Sequence, residues 1–101
     1  MVKRVNVTTS PATTTLITRG GADSGKIQKI SISNFSDDTG GAVVNLFLQN
    51  AAAADFYFFK NVNIPKGATM VLDDNLNFDS AIYSLIMYST GTSPALTVMI
   101  K

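Results

Sequence analysis

A chain of 101 residues, 46% hydrophobic and 15% charged, is the size of one ordinary domain. It is apolar enough to bury a core and too sparsely charged to be a disordered tail. It contains neither His nor Cys, and its seven acids are all Asp, which removes zinc fingers, thiol nucleophiles, disulfide scaffolds and His-based triads. The net charge of +1 gives no electrostatic case for nucleic acid or an anionic membrane as partner, and no bound cofactor is expected.

Lys3 and Arg4 open the chain as the cations of a leader would, but Asn6, Thr8, Thr9 and Ser10 interrupt any apolar run. No segment carries the roughly 20 predominantly apolar residues of a membrane helix. The chain is therefore expected to be made and left in a cytoplasm. Val, Ile and Thr total 27 of the 101 residues, and such branched side chains favour the pleated conformation. Residues 2–8 and 13–18 read as the first two strands. Together, residues 1–18 suit either an edge strand or an arm reaching a neighbour, with Lys3 and Arg4 as contact cations.

Gly20-Gly21-Ala22-Asp23-Ser24-Gly25-Lys26 has the glycine and lysine spacing of a phosphate-binding loop. The hydroxyl that would hold magnesium is replaced by Ile27, and a strand rather than a helix follows, so a glycine-rich turn is expected. In the next strand, 27–34, Ile30 and Ile32 alternate with Ser31 and Ser33. Ile27 is out of phase with them, which calls for a bulge or a later strand start.

Asp37 to Gly41 reads as a turn. Strand 42–49 follows, with Val44, Leu46 and Leu48 on one face and Val43 and Phe47 on the other. The run Ala51 to Ala54 is too short for a stable helix. Strand 56–63 is expected to carry Phe56, Phe58 and Val62 on one face, with Tyr57 and Phe59 opposite. Pro65-Lys66-Gly67 is a turn in which the ring fixes φ and the glycine supplies a permissive dihedral, read as the tip of a hairpin leading to strand 68–73.

Asp73, Asn75, Asn77 and Asp79 are spaced like the opening of a calcium loop. Phe78 stands where the sharp-turn glycine belongs and Ser84 where the closing acid belongs, so a polar connection is expected and no metal. Strand 82–88 places Tyr83, Leu85 and Met87 on one side and Ile82, Ile86 and Tyr88 on the other. A turn at Gly91 to Pro94 precedes the closing strand 95–101.

Short strands of period two separated by turns predict an all-β fold: an antiparallel β-sandwich of about eight strands, jelly-roll or immunoglobulin-like, in a single domain over 1–101. An isolated sandwich should be polar outside. Three strands here are apolar on both faces, which calls either for a long loop across the outer face or a closed barrel with scattered exposed apolars, or, as the favoured reading, for an interface with a neighbour. Its expected contacts are Phe56, Tyr57, Phe59 and Tyr88, with the N-terminal arm carrying Lys3 and Arg4 second. Catalysis has little to work with: the nine Ser have no His to activate them, and the Asp37-Asp38 pair sits in a Gly-flanked loop. No catalytic residue is assigned and no enzymatic activity is expected.

The run Phe58-Phe59-Lys60-Asn61-Val62-Asn63-Ile64-Pro65-Lys66-Gly67-Ala68-Thr69-Met70-Val71-Leu72-Asp73 resembles a segment of small virion structural proteins of tailed bacteriophages, notably marine and cyanobacterial ones. Phe78-Asp79, Tyr83-Ser84-Leu85 and the closing Leu96 to Lys101 extend the likeness over about residues 42–101. The resemblance implies a particle component located in the virion, such as a capsid decoration or cement protein. Its partners would be further copies of itself, as a homo-oligomer and in many cement subunits a trimer, together with the major capsid protein. A carbohydrate- or receptor-binding module of a tail fibre is the other role it allows.

Overall fold

The computed structural model describes residues 2–36, 41–73, 75–91 and 95–101. The turns expected around 37–40 and 92–94, and Met1 and Asp74, lie outside the described residues. The described residues form eight strands: β1 (Lys3–Val7), β2 (Ala12–Ile17), β3 (Ile30–Asn34), β4 (Ala42–Gln49), β5 (Asp55–Ile64), β6 (Thr69–Leu72), β7 (Ser84–Gly91) and β8 (Leu96–Ile100). They form two antiparallel four-stranded sheets, ordered β1-β8-β3-β6 and β2-β7-β4-β5. The chain is thus an all-β sandwich.

The pairings carry a simple rule. β1 pairs with β8, β2 with β7, β3 with β6 and β4 with β5, as if one long hairpin had been folded with its tip between β4 and β5. Rolling that hairpin joins β8 to β3 in one sheet and β7 to β4 in the other. This strand order is that of the jelly roll rather than of an immunoglobulin domain.

The two inner faces meet in a core of Leu16, Ile17, Ile27, Ile30, Ile32, Val44, Leu46, Leu85, Met87, Leu96, Val98 and Ile100, all essentially sealed from solvent. Burying each such side chain contributes about 1.5–3 kcal/mol. The aliphatic sets read from period two in β3 and β4 fall on this side, as do the alternating Leu96, Val98 and Ile100 of β8.

Local turn chemistry moves several boundaries. Ile27 is buried but outside β3, because the N–H groups of Gln28 and Lys29 both donate to the Lys101 carbonyl, at 2.7 and 3.2 Å, before ladder pairing begins. Strand β7 begins at Ser84 rather than 82. The Asp79 carboxylate accepts the Ala81 N–H at 2.9 Å and its carbonyl accepts those of Ile82 and Tyr83, holding 79–83 as a turn. The Ala51 to Ala54 run closes the β4–β5 hairpin, where Asn50 Oδ1 accepts the N–H groups of Ala52 and Ala54 at 3.0 and 3.1 Å.

The segment expected to be a β5–β6 hairpin is instead a crossover, since β5 and β6 belong to different sheets. Gly67, at φ 74°, takes the left-handed position of a turn closed by the Ala68 N–H on the Pro65 carbonyl. Asn34 fixes this crossover: buried at 2% exposure, it donates Nδ2 to the Ile64 carbonyl at 2.9 Å, while its main chain bonds Gly67 and Ala68.

Candidate interaction surface

The outer face of the β2-β7-β4-β5 sheet is built by register. Thr13 lies opposite Tyr88, which lies opposite Asn45; Thr15 lies opposite Ile86, Ile86 opposite Phe47, and Phe47 opposite Tyr57. Phe47 and Ile86 point away from the core yet are each only 7% exposed. Their neighbours cover them: the Tyr57 ring lies 5.1 Å from Phe47, and Lys60 Nζ sits 5.1 Å above the Tyr57 ring, within cation–π range. The apolar excess of β4 and β7 is therefore sheltered largely by the chain's own rings. The rings that do the sheltering are what remains in solvent.

Strand β5 departs from simple alternation, and this corrects the expected faces. Two register shifts against β4 leave Val62 opposite Val44, Phe59 opposite Leu46 and Phe56 opposite Leu48, a spacing of three. Phe59 consequently packs against the core instead of sharing the face of Tyr57. The shift near Asn61 is held by Asn45, whose Oδ1 accepts the Asn61 N–H at 2.9 Å while Nδ2 donates to the Tyr88 carbonyl at 3.2 Å. Asn61 takes φ 57°, a left-handed conformation that Asn tolerates better than most residues.

β5 is also the free edge of its sheet. Phe56, Tyr57 and Phe58 stand 51%, 45% and 36% exposed along it, and Tyr88 37% exposed on the adjoining face. Phe56 meets Tyr83 edge-on at 5.9 Å. Thr13, Asn45, Phe47, Tyr57, Lys60, Asn61 and Tyr88 line an open depression of about 260 Å³.

The structure thus brings Tyr57 and Tyr88 onto one face, with Phe56 at its edge, and separates Phe59 from them. The two N-terminal cations lie elsewhere. Lys3 and Arg4 belong to β1, which pairs with β8 along the edge of the opposite sheet. Lys3 Nζ forms an ion pair with Asp23 at 2.8 Å that ties β1 to the β2–β3 connection. Arg4 is exposed. Phe58 is not among the expected contacts, and neither is Asn45, which the sequence alone does not single out. The unbroken Phe56 to Phe59 run, too apolar to alternate, was the signal for a bulged edge.

The phosphate-loop-like and calcium-loop-like segments form no site of their expected kind. The first ends in β3 without a helix, and Asp79 of the second is turned to its own backbone at Ala81. Among the described residues no three acids gather as a metal site. Fold and surface together define a small jelly-roll sandwich with one aromatic outer face. No family model matches the chain, and no curated protein is significantly similar to it in sequence.

Proposed function

We propose that this protein is a structural subunit of a tailed-phage particle, of the capsid decoration or cement type. It would act by adhesion, laying the β5 edge and the outer face of its sheet against neighbouring copies and the major shell protein. The observation that carries this reading is the exposure of Tyr57 and Tyr88 on the outer face, together with that of Phe56 and Phe58 along the free β5 edge beside it. Exposed aromatic strands on a free sheet edge are a liability for a solitary protein and an asset for an assembling one. The resemblance of residues 42–101 to phage virion proteins agrees with it, and jelly rolls recur in viral shells, an analogy of fold only. Such a subunit needs neither a cofactor nor a catalytic residue.

The test pairs assembly with folding. Double substitution of Tyr57 and Tyr88 by Ala should abolish self-association seen by sedimentation and co-sedimentation with phage shells, while the melting temperature changes little. A wild-type chain that stays monomeric at all concentrations and ignores every shell offered would overturn the proposal.

The depression between Tyr57 and Tyr88 favours one further reading, a glycan-binding module of a tail fibre. Asn45 directs both polar side-chain atoms to the backbone, so ligand polarity would have to be met by Thr13, Lys60 and the tyrosine hydroxyls. Glycan-array binding by the purified chain, lost on Tyr88→Ala, would select it.

A further inference from the structure

The two loop motifs that resemble nucleotide- and calcium-binding segments are brought together in space. The Phe78 N–H donates to the Gly25 carbonyl at 3.0 Å and the Leu76 N–H to the Ile27 carbonyl at 2.9 Å, zipping the β6–β7 connection onto the β2–β3 connection. Gly25 permits this approach, since a Cβ there would drive into the Phe78 carbonyl. The N–H groups of Gln28 and Lys29 hold the main-chain oxygen of Lys101, and the Lys101 N–H returns to the Lys29 carbonyl at 2.9 Å. Three chain segments are thereby fixed around one opening.

That opening, of about 510 Å³, is lined by Val2, Lys26, Gln28, Asn75, Asn77 and Lys101. Its side chains comprise two ammonium groups and three primary amides, with no carboxylate among them. A second cleft of about 200 Å³ shares Val2 and Lys101 and adds Arg4 and Lys29. Four of the eight cations of the chain therefore converge at this end of the sandwich. The main-chain oxygen of Lys101 is bonded to two N–H groups, which fixes this residue at the rim of the opening, and Lys101 is exposed.

We propose that this cleft is a binding site for a multivalent phosphate, of the size and charge of pyrophosphate. Lysine ammoniums act as point charges and amides as single donors, so the lining suits an anion that accepts hydrogen bonds from many directions. The Arg4 guanidinium, whose fork suits either a phosphate or a carboxylate, belongs to the neighbouring cleft. Backbone zipping fixes the segments that carry these donors, while the donor side chains themselves are exposed. The site is open, so affinity falls with ionic strength. It lies apart from the aromatic face and does not depend on the virion reading.

Titration of the full chain with inorganic pyrophosphate at low ionic strength, followed by amide chemical shifts and calorimetry, tests this. Expected is saturable binding with shifts confined to residues 25–29, 75–78 and 101. Lys26→Gln and Lys101→Gln should each weaken it about three- to tenfold, and Lys66→Gln, which lies outside the cleft, should leave it unchanged. Absence of saturation, equal shifts with sodium chloride at matched ionic strength, or an equal loss in Lys66→Gln would overturn the site. Citrate binding as tightly as pyrophosphate would overturn the phosphate assignment. Both cleft substitutions are at exposed positions, so the fold survives them.

Discussion

The two sheets are built alike on the inside and differently on the outside. The β1-β8-β3-β6 sheet turns Arg4, Asn6, Ser31, Ser33, Thr69 and Thr97 to solvent, with Ser33 and Thr69 hydroxyls bonded at 2.9 Å and Thr97 bonded to Asn6 at 2.9 Å. Val71 and Met99 are its isolated apolar exceptions, at 47% and 38% exposure. The β2-β7-β4-β5 sheet places Phe47, Ile86, Tyr57 and Tyr88 at the corresponding positions. Core formation needs only the inner faces, so it cannot explain this asymmetry. The difference teaches that the second sheet's outer face is under a separate demand.

Core truncation gives the largest effect and should not distinguish outer faces. Leu46→Ala, at a fully buried inner position, is expected to cost about 2–5 kcal/mol in chemical denaturation. Next comes the polar clamp under the aromatic face. Asn45→Ala removes the partner of the Asn61 N–H and should cost about 1–3 kcal/mol, with amide exchange increased locally at residues 59–62. An unchanged midpoint would mean that the β5 bulge holds itself.

A sharper probe compares two rings of one strand that stand two residues apart. Phe59→Ala should lower stability by about 2–4 kcal/mol, whereas Tyr57→Ala should cost under about 1 kcal/mol and act on assembly instead. Equal effects would erase the distinction between the strand's two sides. Smallest are the exceptions on the polar sheet: Met99→Thr and Val71→Thr should each stay within about 0.5 kcal/mol and leave assembly untouched. Loss of assembly in either would move the interface to the other sheet.

Sequence periodicity located the strands because alternating aliphatics need a neighbour only to say which side is dry. Ile30 and Ile32, Val44 and Leu46, and Leu96 and Val98 all face the core as their spacing predicts. The run Phe56 to Phe59 has no period to read. Its faces are set by pairing with β4, and only the register shows that Phe59 turns inward while Tyr57 does not. The Pro65 to Gly67 segment is legible as a turn, but a turn does not specify which sheet receives the next strand. Asn34 decides that, through bonds to groups 30 or more residues away.

The sequence by itself determined the class: branched residues in short alternating runs, broken by turns, build an all-β antiparallel fold. The tertiary structure decided the pairing of strands, the side of the sheet on which each aromatic ring stands, and the meeting of two distant loops around Lys26 and Lys101. Alternation is a local property of backbone geometry, fixed by dihedrals that each residue carries with it. Pairing and loop contact depend on which distant groups satisfy one another's hydrogen bonds once the core has closed, and no local pattern encodes that choice.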